Sequence, residues 1–306
     1  MPAEAPLDNT AQYIFHSMND QVAELLASGQ NHIKTGNLAA ASQCVEAALK
    51  IEPRSLKAHN FREKYRLSGN FSDWMGVESQ ISEDDDIFRF FSNHPTSTNP
   101  VRDYLSDGWR TSIELQEALD TCSMSLRKCT SFLEFASGHG RFTRHLSRVM
   151  TQNQLTVSDV VPGSVDFLVN TFDVKGFAST TDPLALSLPG KYHVIFVLSL
   201  FSHLPTAIWR TWFKVLAAAL EPGGALIFST HGEKSALKDG VNWGPTEQAF
   251  FASSESTALD GQTYGCTYAS LGFVKDQLMQ ALGSGVKVQT LAGHFWGAQD
   301  AFIVSM

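Results

Sequence analysis

From Ser131 to the C-terminus, short apolar runs alternate with amphipathic stretches of helical period, and this alternation constrains the fold more than any other feature. Residues 132–135, 155–158, 176–178, 193–198, 225–229, 286–290 and 301–304 have strand character. Helical periodicity occupies 141–150, 163–171, 207–220 and 271–282. Strands separated by helices pair in parallel through crossovers. The pattern therefore predicts an α/β fold with a seven-stranded, doubly wound, mostly parallel sheet. Ligand sites in such a sheet lie at the carboxyl ends of the strands.

The first 70 residues read differently. From Val22 to Lys50 the pattern is helical, interrupted by Gly29 and Gly36 and closed by Pro53. Val22, Leu25 and Leu26 mark one apolar face, and Ala41, Val45, Ala48 and Leu49 another. A third helical stretch, 56–67, carries Arg62, Lys64 and Arg66 toward solvent. Gly29, Ala41, Val45, Ala48 and Pro53 stand at offsets that resemble a single tetratricopeptide repeat, with departures at Ser28 and His32 and no second copy. Stacked repeats need about three units to bury a continuous core, so the expectation is a helical hairpin used for packing, homo-oligomerisation or a protein partner. Residues 71–99 read as a linker, with an acidic run at Glu83–Asp86, an aromatic run at 87–91 and an extended stretch at 95–100. Helical stretches near 101–105 and 111–122 then open a third region, 100–306.

Composition narrows the function classes. Lys and Arg total 23 against 31 Asp and Glu, a formal charge of −8 with no basic block, which argues against a nucleic-acid grip. The four cysteines (Cys44, Cys122, Cys129 and Cys266) form no CxxC pair, so neither a disulfide framework nor a zinc site is expected. No apolar run reaches the roughly 18 residues of a membrane span, and the N-terminus lacks the pattern of a secretion signal. The expectation is a soluble, cytoplasmic protein without membrane association.

The most informative segment runs from Ser131 to Leu146. A strand ends near Glu134, a turn of small residues follows (Ala136, Ser137, Gly138, Gly140), and a helix begins. Glycines permit left-handed backbone and close approach of a ligand, and helix-start amides receive an anionic group. A carboxylate at the strand end would repel a pyrophosphate and suits a ligand carrying an ammonium group. Asp159 ends the next strand 25 positions after Glu134, near the place where such folds set an acid on ribose hydroxyls. Asp182 follows the third strand and offers an acceptor to an adenine amino group. Together these describe a site for an amino-acid-bearing nucleoside such as S-adenosylmethionine (SAM).

On these residues the region from Pro100 onward resembles the class I SAM-dependent methyltransferases, which have a Rossmann-like fold. Glu134-Phe-Ala-Ser-Gly138-His-Gly140 resembles the family's first motif, with Ala136 replacing a glycine, a mild change unless φ is positive. The stretch from Tyr192 to Leu204 resembles its fourth-strand motif, with His193 in place of an acid, and Leu220-Glu-Pro-Gly-Gly224 its turn into the fifth strand. The tail 299–304 resembles its final antiparallel strand. The resemblance implies SAM as cofactor, held by Glu134, Ala136, Ser137, Gly138, Gly140, Asp159, Val160, Thr181 and Asp182, with Ser199 and Leu200 along its methionine side.

The acceptor side is read from position alone. His203 lies beyond the fourth strand and His231 at the end of the fifth, both on the active-site edge. With an ordinary pKa near 6.5, either suits a catalytic base taking a proton from an acceptor hydroxyl or amine. Tyr104, Trp109 and Arg110 are candidates for a lid, and the aromatic-bearing insertion 233–270 for an acceptor pocket. The leading expectation is in-line methyl transfer to a small or medium-sized organic acceptor. The alternative is a non-catalytic protein that binds SAM or its demethylated product, S-adenosylhomocysteine (SAH), and acts as a scaffold through its helical N-terminus.

Overall fold

A computed structural model describes residues 9–253, 256 and 258–305, with side chains described from residue 19 onward. The chain divides into two compact units at Asp103 and Tyr104.

In the first unit α1 (Asn9–Lys34), α2 (Leu38–Ile51) and α3 (Leu56–Lys64) pack on one another. Asn37 caps α2 by accepting from Ala40 N–H, and Ser55 caps α3 by accepting from Ala58 N–H. Ala41, Val45, Ala48 and Ala58 are buried between the helices. A Cβ on Gly29 would lie 3.3 Å from the Phe61 ring and 3.4 Å from Cys44 Cβ, so the missing side chain permits the close approach. Two short helices follow, α4 (Phe71–Met75) and α5 (Asp86–Asn93), in the stretch read from sequence as a linker. Its first part is anchored to α3. The buried Glu63 carboxylate accepts from the N–H groups of Phe71 and Ser72 at 2.9 Å each, and Asn60 bonds both backbone groups of Ile81. Burial raises the pKa of Glu63, but these hydrogen bonds bring it below its ordinary value.

The second unit begins within α6 (Pro100–Asp120), one continuous helix where the sequence pattern predicts two. Gly108 breaks the pattern because the helix crosses another backbone there. A Cβ on it would clash with the Arg141 carbonyl and lie 3.0 Å from His145 Nε2. The sheet has nine strands among the described residues, not seven. They are β1 (Phe132–Phe135), β2 (Leu155–Asp159), β3 (Lys175–Ala178), β4 (Tyr192–Val197), β5 (Leu220–His231), β6 (Gln248–Phe251), β7 (Cys266–Ala269), β8 (Lys287–Phe295) and β9 (Gln299–Ser305). The interspersed helices are α7 (Thr143–Leu146), α8 (Ser164–Phe172), α9 (Trp209–Ala218), α10 (Glu233–Lys238) and α11 (Leu271–Leu282). Strands β3-β2-β1-β4-β5 run parallel in that order, and β9 and β8 continue antiparallel from β5. The two added strands, β6 and β7, form a hairpin inside the insertion and join the end of β5 at His231 and Tyr268. Each spans only four residues, too few for an alternating pattern to stand out among the surrounding Gly, Ser and Thr.

Strand alternation builds the core on both faces. Phe132, Val194, Phe196, Ala225, Ile227, Ala301 and Ile303 pack on one side with α6, α7 and α8. Leu133, Phe135, Ile195, Val197, Leu226, Phe228, Phe302 and Val304 pack on the other with α9 and α11. Strand order reverses between β1 and β4, which opens the crevice of the sheet at their carboxyl ends.

Candidate functional site

At the carboxyl end of β1 the chain turns sharply. Ala136, Gly138 and Gly140 have φ of +60°, +56° and +85°. Ala136 is therefore in the strained case and not the mild one, at a cost of about 1–2 kcal/mol relative to glycine. The two glycines answer to different demands. A Cβ on Gly140 would strike Phe172 and Leu168 of α8, whereas one on Gly138 would meet nothing within 4 Å. Gly140 thus serves packing, and Gly138 leaves room beside the turn.

Two buried carboxylates stand at the ends of β1 and β2, one of them bonded to Gly138. Glu134, completely buried, accepts from Thr143 Oγ1 at 2.7 Å. Burial pushes its pKa up to about 8, against the Thr143 bond and the Arg141 charge, with Asp159 adding to the rise. Asp159, also buried, accepts from Gly138 N–H at 2.7 Å through Oδ2 and from Val161 N–H at 2.8 Å through Oδ1. Burial raises its pKa, and these backbone bonds oppose the rise. Ser137 ties β1 to β2, its Oγ accepting from Ser158 N–H at 3.1 Å. Val160 is half-buried next to Asp159. Thr181 and Asp182 are exposed, and Asp182 Oδ1 accepts from Leu184 N–H at 2.9 Å, closing a turn around Pro183.

Serines, histidines and a glutamine gather at the ends of β4, β5 and β9 as a second cluster. Ser199, half-buried with φ of +61°, gives its N–H to Ser229 Oγ at 2.8 Å. Ser229 in turn donates to Gln299 Oε1 at 2.6 Å. Gln299 Nε2 lies 2.8 Å from Ser199 Oγ and 3.2 Å from His231 Nε2. Leu200 is half-buried beside Ser199. His203 Nδ1 donates to the Gly265 carbonyl at 2.8 Å, its ring stacks on Tyr264 at 4.6 Å, and its Nε2 is 3.5 Å from Ser199 Oγ. His203 and His231 stand edge to face, 6.1 Å between ring centres. Burial, and then the nearby His203, lower the pKa of His231 to about 4. The structure thus brings together both histidines singled out in the sequence. Gln299, Ser229 and Thr143 were missed, since each is an ordinary polar residue whose partners lie far along the chain or on another element.

The three lid candidates separate. Tyr104 is buried beneath the Arg144 guanidinium, Trp109 is 60% exposed, and Arg110 pairs with Glu114 at 2.7 Å. The Glu114 carboxylate also accepts from Trp296 N–H, which fastens α6 to the turn between β8 and β9. Among the described residues no group of three His, Cys, Asp or Glu is placed to hold a metal ion, and no helix is long and apolar enough to cross a membrane.

A parallel sheet with a reversal point, a glycine turn and acids at two adjacent strand ends defines a Rossmann-like fold with a crevice at the carboxyl ends of β1 and β4. The family model described as a methyltransferase domain matches residues 109–270, more than half of the chain, and the protein belongs to that family. No curated protein matches it in sequence. Among solved structures, a SAM-dependent methyltransferase from Clostridium acetobutylicum is similar at 14% identity and a TM-score of 0.47, over 65% of this chain and 91% of its own. The N-methyltransferase NodS from Bradyrhizobium japonicum, in complex with SAH, is similar at 17% identity and 0.41, over 72% and 91%. An O-methyltransferase family protein from Burkholderia thailandensis is similar at 14% identity and 0.46, over 98% of both chains.

Proposed function

We propose that this protein transfers the methyl group of SAM to a hydroxyl or amine of a small or medium-sized organic acceptor. The observation that carries the reading is the pair of buried carboxylates, Glu134 and Asp159, at two adjacent strand ends, with Asp159 bonded to Gly138 beside open space. Buried acids at a sheet crevice call for a partner, and a phosphate is the wrong one. An ammonium group suits Glu134, and ribose hydroxyls suit the lone pairs of Asp159 that Gly138 and Val161 do not occupy. The donor set therefore fits SAM, which when bound supplies a methyl group on an electrophilic sulfonium.

The chain's own residues do the rest. Glu134 holds the ammonium group and Asp159 the ribose of the nucleoside amino acid, and Ser199 and Leu200 border its methionine side. His203 takes the proton that an acceptor hydroxyl or amine loses. Its Nδ1–H is committed to the Gly265 carbonyl, so Nε2 is the basic nitrogen and faces Ser199. Tyr264 stacked on the ring keeps water from that face.

Calorimetric titration with SAM and separately with SAH tests the reading. Micromolar binding of both, followed by transfer of a labelled methyl group to a member of a panel of phenols, alcohols and amines, is the expected result. Binding of neither ligand would remove it.

A further inference from the structure

The hydrogen bonds between β4, β5 and β9 run in one direction from strand to strand. The Ser199 backbone N–H can only donate, and it does so to Ser229 Oγ. The Ser229 hydroxyl gives its own proton to Gln299 Oε1 at 2.6 Å, a short contact suited to an O–H donor on a carbonyl oxygen. The Gln299 amide nitrogen consequently faces Ser199 Oγ and His231 Nε2, with one N–H for each. An imidazole nitrogen that receives an N–H carries no proton of its own. The ring proton of His231 thus sits on Nδ1, 3.7 Å from Cys266 Sγ. In His203 the Gly265 carbonyl likewise requires the proton on Nδ1.

We propose that Gln299 is the positioning residue of the acceptor side. It holds His231 as a neutral Nδ1–H tautomer with its Nε2 lone pair engaged, and leaves His203 as the imidazole that takes the acceptor's proton. The assignment rests on the methyltransferase reading above. Gln299 is 5% exposed, so no solvent competes for its amide. It also holds Ser199 in its left-handed backbone conformation, together with Ser229, from the side-chain and main-chain ends. The titratable groups facing His231 are His203 beyond β4, Lys238 and Asp239 at the end of α10, and Cys266 and Tyr268 of β7. Tyr268 donates its hydroxyl to Asp239 at 2.9 Å, and the Asp239 charge, which favours protonated His231, is outweighed by burial and by His203. Neutral His231 agrees with its lowered pKa.

Long-range nitrogen–proton correlation spectra of the ligand-free, full-length protein read both tautomers directly. The expected result is a proton on Nδ1 of His231, with no titration above pH 6, and a proton on Nδ1 of His203. In the isosteric variant Gln299→Glu an acceptor oxygen replaces the donor. The His231 proton should then move to Nε2, and its midpoint should rise by about one pH unit or more. Finding Nε2–H on His231 in the wild type overturns the proposal, and needs no variant to fold. So does a Gln299→Glu protein with the wild-type tautomer and midpoint. SAH titration of the same wild-type sample separates the two readings. Binding together with an Nε2–H tautomer overturns the role of Gln299 alone, and no binding overturns the methyltransferase reading and with it the catalytic meaning of the tautomer.

Discussion

At the ends of β1 and β2 two buried carboxylates, Glu134 and Asp159, stand beside the glycine turn, whereas at the ends of β4, β5 and β9 the imidazoles of His203 and His231 meet Ser199, Ser229 and the Gln299 amide. Burial disfavours the charged form of the first pair, and both acids have raised pKa values as a result. The second group is a network: Ser199, Ser229, Gln299 and His231 are joined by bonds between 2.6 and 3.2 Å, and Ser202 Oγ adds another to Ser199 Oγ at 2.8 Å. The contrast separates two tasks. On the proposed function, a cation and hydroxyls brought by a ligand relieve the first side, while the second is held by its own hydrogen bonds and is suited to holding one lone pair in place.

The largest effect expected from breaking this division is on the side of the histidines. Replacing a general base removes about a hundredfold or more in turnover. His203→Ala should therefore lower kcat by that order, measured with the acceptor found in the labelled-methyl screen, while SAH affinity stays within about twofold. Equal losses in His203→Ala and His231→Ala would erase the distinction between the two imidazoles.

On the side of the carboxylates, Asp159→Ala should weaken SAM binding by roughly tenfold or more, the worth of a charge-assisted hydrogen bond. It also strips Gly138 and Val161 N–H of their acceptor. Unchanged affinity in calorimetry would take Asp159 out of the site.

The pH dependence of affinity sharpens the comparison further. Glu134 is held protonated below about 8 in the free protein, and an ammonium partner requires it ionised. SAH affinity should rise by about tenfold from pH 6 toward 8, and the rise should vanish in Glu134→Gln. The same shift has a stability consequence of defined sign. A carboxyl whose folded pKa is raised makes the fold lose stability as pH climbs from the unfolded value of 4.5 to about 8. Glu134→Gln should accordingly raise Tm at pH 8 and leave it unaltered near pH 4, as read by calorimetric melting.

The smallest effect concerns the turn. Ala136→Gly relieves a positive φ and should stabilise the protein by about 1 kcal/mol, a few degrees in Tm. No gain would mean that the added backbone freedom of glycine in the unfolded chain cancels the relief.

Much of the α/β unit is legible along the chain because its signals are local. The strands β1, β2, β4 and β9 are compact apolar runs bounded by turn residues, and the glycine turn with Glu134 and Asp159 follows from where two such runs end. Other features were not legible for physical reasons. The hairpin β6–β7 is too short to show a period, and Gly108 marks a helix crossing that looks like a helix break. Residues 71–81 resemble a linker because the buried acid that anchors them, Glu63, sits on a helix whose sequence reads as wholly polar on that side.

By itself the sequence determined the alternation of elements, the parallel sheet it implies and the acids at the ends of its first two strands. Those properties reside in the pattern of neighbouring residues. Tertiary structure alone decided which glycine faces open space, that Ala136 carries a left-handed backbone, and that Gln299 meets a serine 100 positions earlier. Such facts depend on strands placed side by side at hydrogen-bonding distance, and no period or spacing along a chain encodes which amide will face which imidazole.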